Sequence, residues 1–188
     1  GAEALAETNI DRSLLLAVAG MDLEDSPETR SDLLSVLQNT PAVFRLIRPS
    51  QNDITSLAAR PDGRLLASGD SGAVRFHDIR SWKSRGNPVR LEGRVSQDAM
   101  VFSPDGNELA VATATSANRA NVYLVQPLSG TKRLIASLPS VPAGIGPRRF
   151  THMDFSPDGK YLAALPLADS YNRGSLLVWD VATGQQVL

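Results

Sequence analysis

The chain of 188 residues contains no cysteine, so disulfides and thiolate metal sites are excluded and the redox state of its compartment stays open. Its longest apolar stretches fall well short of the roughly 18 residues that a membrane-spanning helix needs. No basic start followed by an apolar core indicates a signal peptide. The remaining composition, 42% hydrophobic and 21% charged, is that of an ordinary globular protein.

Signatures of catalysis are missing as well. The segment GIGPRR at 144–149 lacks the Lys-Ser/Thr end and the following helix of a phosphate-binding loop, and no Gly-x-Ser-x-Gly elbow occurs. Only two histidines exist, His77 and His152, and neither has partners at the spacing that catalysis or metal binding needs. A structural role is therefore favoured for both. We expect a chain that is not an enzyme and that binds no cofactor and no metal.

Charge divides the chain into two regions. Residues 1–40 hold eight acids and two arginines, a net charge of −6, whereas residues 41–188 hold twelve acids and seventeen bases, a net charge of +5. A shift of this kind often marks a domain boundary. The sequence therefore predicts an α-helical linker at 1–40, followed by a second domain at 41–188.

The acidic region, residues 1–40, carries helix signals. Apolar residues recur at helical spacing, and we expect them to pack: Ile10, Leu14, Val18 and Met21 in one segment, and Leu33, Leu34 and Leu37 in the next. Between the two segments, Ser26 is a predicted N-cap with Pro27 at the first helical position. The second helix should end before Pro41, because a residue that precedes proline resists the α conformation. The prediction is a short helical hairpin.

Within residues 41–188 the same turn occurs three times. The tripeptide Pro-Asp-Gly stands at 61–63, 104–106 and 157–159. Pro presets the first central position of a tight turn, Asp tolerates the second, and Gly accepts the left-handed conformation that follows. Apolar runs lie on both sides, so each copy predicts a β-hairpin. One carboxylate per turn is too few for a calcium site, so these aspartates are interpreted as turn formers.

Two more apolar runs follow each hairpin, which makes four predicted strands per copy. The third runs are at 73–79, 121–127 and 175–181, and the fourth are at 88–93, 132–137 and 185–188. The copies are 43 and 53 residues apart, the longer step being attributed to a loop insertion. A period of roughly 40–45 residues with four strands per unit is typical of β-propeller blades. The predicted fold is mainly β, with three blades at about 51–93, 97–137 and 150–188.

The third copy resembles a WD repeat, because Trp179-Asp180 stands where that family has its dipeptide. The first copy keeps Asp78 but has His77 in place of the tryptophan, and the second copy has Leu124-Val125 there. As a substitute for the tryptophan, His77 should be packed. The resemblance covers about residues 42–188 and implies a propeller segment that binds other proteins.

The hydrogen-bond tetrad of WD repeats is incomplete in this sequence. No Gly-His dipeptide precedes any copy, and Ser50, Gly93 and Gly146 stand where its histidine is expected. The resemblance therefore implies that the buried tetrad is absent, with Asp70 as a remnant of it.

A helical hairpin directly ahead of WD repeats resembles the linker of bacterial multidomain signalling regulators, in which a P-loop NTPase precedes the linker and the propeller follows it. This resemblance implies a cytoplasmic protein. The alternative is an extracytoplasmic one, tethered by an upstream transmembrane helix that is not included in this chain.

The predicted propeller is incomplete. The segment AVFRLIRPS at 42–50 is similar to the fourth strands of the copies, yet no first three strands precede it. Propellers usually need at least four blades, so three blades leave an open face and an unpaired edge. We expect a homodimer through these open edges.

Long loops indicate a candidate binding rim. The loops at 113–121 and 166–175 both contain Ser-x-Asn-Arg, and the link at 139–150 is also long. Propeller topology places these loops on one face, and arginine and aromatic residues are enriched at interaction hot spots. The candidate partner-binding residues are Arg119, Arg148, Arg149, Tyr171 and Arg173. The simpler interpretation is that these are unconstrained solvated loops.

Three classes of function compete on these observations. A non-catalytic module that binds a protein or peptide, or acts as a sensor within a larger regulatory protein, agrees best with the repeats. The alternative is the propeller of a hydrolase or peptidase whose catalytic domain lies outside the segment. Nucleic-acid binding is disfavoured, because the positive charge is spread over several strands and loops rather than gathered with stacking aromatics.

Overall fold

Two helices precede eleven strands in the computed structural model, which describes residues 10–39, 50–117, 119–138, 149–167 and 176–188. The chain divides into two compact units between Arg48 and Pro49, a helical unit and a β unit. The domain boundary near residue 40 and the blade limits stay predictions. Among the described residues, no helix is long and apolar enough to cross a bilayer.

The helical unit is the predicted hairpin, formed by α1 (Ile10–Leu23) and α2 (Pro27–Asn39). Ser26 caps α2 as predicted: its hydroxyl accepts a hydrogen bond from the Thr29 N–H at 3.3 Å, and the Thr29 hydroxyl accepts one from the Ser26 N–H at 3.0 Å. This reciprocal pair satisfies two backbone donors at the helix start. The helix ends at Asn39, two residues before Pro41, as the sequence indicates.

The buried stripe of the hairpin differs from the expected one. Ala17 and Val36 form its core, with Leu16 and Leu33 packed against them. Leu34 and Leu37, which we expected to pack, are 56% and 46% exposed, and Val18 is also half-exposed. The two described helices bury only the narrow stripes that face each other, so packing between them does not cover the wider apolar surface predicted from spacing.

The β unit consists of three antiparallel sheets, each built from strands that are consecutive along the chain. Blade 1 contains β1 (Ser56–Ala59), β2 (Leu65–Gly69), β3 (Ala73–Asp78) and β4 (Ser84–Arg90). Blade 2 contains β5 (Arg94–Phe102), β6 (Leu109–Ala114), β7 (Ala120–Val125) and β8 (Lys132–Leu138). Blade 3 contains β9 (Arg149–Phe155), β10 (Tyr161–Leu167) and β11 (Leu177–Asp180).

The Pro-Asp-Gly turns join the first two strands of each blade, as predicted. Gly63, Gly106 and Gly159 are all left-handed, with φ between 67° and 72°. In each turn the aspartate carboxylate accepts a hydrogen bond from the backbone N–H two residues later, at 3.0–3.1 Å. The interpretation of these aspartates as turn formers is confirmed.

The three blades stack in chain order. One buried cluster joins blade 1 to blade 2, and a second joins blade 2 to blade 3. Strand β6 contributes to both: Leu109 and Val111 face blade 1, whereas Ala110 and Ala112 face blade 3. Because blade 2 is covered on both sides, its two middle strands, β6 and β7, are buried along almost their whole length rather than at alternate residues. This stacking is the architecture of an incomplete β-propeller.

Two outer strands depart from the predictions. Strand β4 lies at Ser84–Arg90 rather than 88–93, since Leu91–Gly93 form the link to β5. The predicted fourth strand of blade 3 at 185–188 is reduced to one bridge, between Gln186 and Trp179, with hydrogen bonds from the ends of the segment to β11. The predicted strand at 42–50 lies outside the described residues except for Ser50.

Candidate interaction surfaces

A buried polar network lies at the end of blade 1, around Asp70. Asp70 is 1% exposed, and its carboxylate accepts hydrogen bonds from the Ser50 hydroxyl at 2.5 Å and from the N–H groups of Gly72 and Ala73 at 3.2 and 3.0 Å. It also forms an ion pair with Arg75. These contacts agree with the expectation that Asp70 is a remnant of the tetrad, with Ser50 standing where the family has its histidine.

The electrostatic balance at Asp70 favours its charged form. Burial by itself would raise the pKa of the carboxyl, but the hydrogen bonds from Ser50 and Arg75 and the charge of Arg75 outweigh it and lower the pKa. Asp70 thus stays ionised and fixes the short connection between β2 and β3.

A second buried pair lies on the same blade. His77 is 2% exposed, and its Nε2 is 3.0 Å from the hydroxyl of the buried Ser68. Burial, with the nearby charge of Arg75, lowers the pKa of His77. The expectation that His77 is packed is confirmed. The other histidine, His152, lies in β9 with its side chain exposed.

Strand register corrects one equivalence drawn from the sequence. Leu66, Leu109 and Leu162 stand at the same place in the three copies. Leu66 pairs with His77 and Leu162 pairs with Trp179, whereas Leu109 pairs with Val125. The Trp-Asp position of the second copy is therefore Val125-Gln126 rather than Leu124-Val125. The interpretation was one residue out, because no tryptophan or aspartate marks the position there.

Alternating strand directions give each blade two distinct ends. The Pro-Asp-Gly turns and the connections between third and fourth strands lie at one end, here called the turn edge. The connections between second and third strands, and the links from one blade to the next, lie at the other end, here called the rim edge.

Two of the five candidate rim residues lie in the described ranges of the chain, and both are exposed at the rim edge. Arg119 ends the connection from β6 to β7, where its N–H and C=O bond to Thr115. Arg149 is the first residue of β9. The other three candidates, Arg148, Tyr171 and Arg173, lie outside the described residues.

Blade 3 has a face that no described residue covers. We call the side of each blade that points toward the next blade along the chain its forward face, and the opposite side its rear face. Ala67 and Ala110 lie on the forward faces of blades 1 and 2 and are completely buried. The equivalent Ala163 is only half-buried, and its neighbours Tyr161 and Leu165 are 42% and 43% exposed.

The rear face of blade 1 shows the matching exposure. Met100 and Met153, four residues before the proline of their turns, are buried in the two blade interfaces at 7% and 4% exposure. Leu57 stands at the equivalent place in blade 1 and is 60% exposed. Both ends of the stack thus present residues that blade-on-blade packing buries elsewhere in the same unit.

The arrangement offers no metal chemistry in the stretches of the chain that the structure describes, where no group of three or more His, Cys, Asp or Glu residues could hold an ion. The buried hydroxyls of Ser56 and Ser96 have no partner among the described residues. Both lie on inner strands.

A family model described as WD domain, G-beta repeat matches residues 43–78. The match ends at the last residue of β3 and falls on the first copy, not on the third with its intact Trp179-Asp180. No curated protein sequence matches the chain. The chain therefore contains a WD-repeat segment, and WD40 repeats generally mediate protein–protein interaction and are typically non-catalytic.

Proposed function

We propose that this chain is a non-catalytic module that binds a protein or peptide partner through its rim edge. The observation that carries the proposal is the stack of blades, the first of which includes the WD-repeat match, with Arg119 and Arg149 exposed at the rim edge. Arginine combines a planar fork of donors with a permanent charge, which suits the recognition of a partner surface. The rim predicted from the sequence also includes Arg148, Tyr171 and Arg173, which lie outside the described residues.

The biological setting belongs to the proposal. The resemblance of the helical hairpin to a linker supports a place in a larger bacterial signalling or regulatory protein of the cytoplasm. No described residue favours the alternative of a hydrolase propeller.

The rim is tested by replacing Arg119 and Arg149 with alanine. We expect partner capture from a native lysate of the source cells to fall clearly while the thermal midpoint stays nearly unchanged, because exposed side chains contribute little to stability. Arg64→Ala with Arg80→Ala is the matched control, since both arginines are exposed at the turn edge. Equal capture by the rim variant and the wild type would contradict the proposal and support the simpler interpretation, that these are unconstrained solvated loops.

We further propose that two copies pair through the ends of their blade stacks. The forward face of blade 3 with Ala163 would receive the rear face of blade 1 with Leu57 from the second copy, and the reverse contact would close a ring of six blades. Six is within the usual range for propellers. The support is the exposure at both ends of side chains that are buried at the internal interfaces.

A further inference from the structure

A groove lies on the outside of the β unit between blades 1 and 2, and none of the five candidate rim residues lines it. It encloses a cavity of about 530 Å³, within the range of ligand sites. One wall is the Gly86–Arg90 stretch of β4, and the other is the turn Pro127–Gly130 with Lys132. We call it the outer groove. No motif or periodicity of the sequence predicts it.

An irregularity in β4 opens the outer groove. Phe76 pairs with Arg85 and Val74 pairs with Val89, so the three residues Gly86, Asn87 and Pro88 stand opposite a single residue of β3. Gly86 has a left-handed backbone with φ of 73°. Bulges of this kind bend a strand and terminate its regular pairing, and they are over-represented next to functional sites.

The second wall comes from blade 2. In the turn that follows β7, Leu128 is 78% exposed and lines the cavity beside the buried Pro127. Gly130 has a left-handed backbone with φ of 71° and lies beside Val89 of β4. A smaller cavity of about 260 Å³ adjoins the other side of the same turn.

The equivalent place between blades 2 and 3 lacks these features. Ala182 stands where the turn of blade 2 has Leu128. The guanidinium of Arg133, from β8, donates a hydrogen bond to the Val181 carbonyl and spans the gap. The exposed leucine therefore belongs to the first interface and does not come from the repeat.

The charged side chains that line the outer groove are all positive. Its lining contains two cations, Arg90 and Lys132, and no carboxylate. The Lys132 ammonium donates a hydrogen bond to the Arg90 carbonyl at 2.6 Å, which holds it at the groove wall. A third cation, Arg60, lines the adjoining cavity, where Asp62 already pairs with it.

We propose that the outer groove binds an extended acidic peptide that carries an aliphatic side chain beside its carboxylates. The carboxylates would pair with Arg90 and Lys132, and the aliphatic side chain would cover Leu128 and Pro88. Strand addition to β4 does not provide the contact, since Pro88 has no N–H and Lys132 occupies the Arg90 carbonyl. Recognition therefore depends on side chains. A nucleic acid is disfavoured because the lining has no aromatic residue for base stacking.

The proposal is tested by selecting peptides from a random twelve-residue display library on the intact chain. We expect sequences rich in Asp and Glu with interspersed Leu, Ile or Val. One selected peptide, labelled with fluorescein, is then titrated by anisotropy, and Arg90→Ala with Lys132→Ala should weaken its binding about tenfold, a loss typical of hot-spot charges. Leu128→Ala should weaken binding about fivefold, and since this side chain is exposed the variant should fold.

Controls separate the outer groove from the rim. Arg64→Ala with Arg80→Ala and Arg119→Ala with Arg149→Ala should leave the affinity of the peptide unchanged. Unchanged affinity in the Arg90 and Lys132 double variant would overturn the proposal, and so would a selection without acidic enrichment. Displacement of the peptide by a single-stranded oligonucleotide at equal concentration would assign the groove to nucleic acid instead. Failure of the groove leaves the rim proposal untouched, because different residues carry it.

Discussion

At the scale of single residues, Asp70 organises one end of blade 1. Its carboxylate connects Ser50, the turn into β3 and Arg75, and its carbonyl accepts a hydrogen bond from the N–H of Val95 in blade 2 at 3.0 Å. One residue thus links the preceding segment, its own blade and the next blade. Removal of a buried charge partner is costly because the remaining groups are left without compensation.

We expect Asp70→Ala to lower the free energy of unfolding of the β unit by about 2–4 kcal/mol, since Arg75 and two N–H groups lose their acceptor in a buried site. Both tryptophans lie in the β unit, so urea denaturation followed by their fluorescence measures the change. Asp62→Ala, in an exposed Pro-Asp-Gly turn, should lower the free energy of unfolding much less, because water solvates the groups that it leaves. Equal effects of the two variants would contradict the network.

His77 should make the stability of the β unit depend on pH. Its pKa is lowered in the folded state, first by burial and then by the charge of Arg75, so the unfolded chain takes up the proton at a higher pH than the folded one. The stability that neutral His77 contributes is fully present above about pH 6.5, the pKa of a histidine in the unfolded chain. This stability is lost as the pH falls from there toward the lower pKa of His77 in the folded state.

The measurement is the urea midpoint between pH 7.5 and 5.5. His77→Ala should remove most of the decline and lower the free energy of unfolding at pH 7.5 by about 1–2 kcal/mol, because Ser68 loses its partner. His152→Ala, at an exposed position, is the matched control. A loss below about 0.5 kcal/mol at pH 7.5 would show that His77 is not a packed residue.

At the scale of elements, the link between blades 1 and 2 depends on a close approach of two backbones. Gly93 has φ of 89°, and a Cβ at this position would stand 2.5 Å from the carbonyl oxygen of Ala114, at the end of β6. In the Pro-Asp-Gly turn of blade 1, Gly63 has φ of 67° with no atom within 4 Å of its ideal Cβ. A comparison of substitutions at the two glycines therefore separates the cost of backbone strain from the cost of steric overlap.

Gly63→Ala should therefore cost only the strain of a left-handed residue, about 1 kcal/mol. Gly93→Ala adds the overlap with Ala114, and we expect a loss of about 3 kcal/mol or more. Urea denaturation of the two variants side by side measures the difference. Similar losses would mean that the Ala114 backbone moves away at little cost.

At the scale of the whole molecule, blade stacking explains both the core and the exposed ends. At the interface between blades 1 and 2, Met100 from a rear face packs where Gly69 leaves room: a Cβ on Gly69 would stand 2.6 Å from the sulfur of Met100. The same kinds of residue remain exposed at the two ends, as Ala163 with Leu165 and as Leu57. Burial of this apolar area is worth roughly 25 cal/mol per Å², which favours contact with a second copy.

We expect this chain to be a dimer, or to aggregate, at micromolar concentration. Ala163→Arg places a charge on the forward face of blade 3 and should shift the light-scattering mass toward the 20.1 kDa of one chain. Gln97→Arg, at an exposed position of blade 2, should leave the mass unchanged. A well-behaved wild-type monomer would contradict the pairing of copies.

The sequence by itself determined the elements that local chemistry specifies. Repeated Pro-Asp-Gly turns and apolar runs predicted the hairpins and the blade architecture, and the Ser26 and Pro27 signals predicted the start of α2, since these features depend on neighbouring residues only. Only the tertiary structure decided what depends on packing across the chain. It showed which helix residues are buried, that Ser50 reaches Asp70, that the Trp-Asp position of blade 2 is Val125-Gln126, and that a bulge in β4 opens a groove between blades. Each of these follows from how separate helices and strands pair and how sheets stack, and the order of residues within one segment carries no information about such contacts.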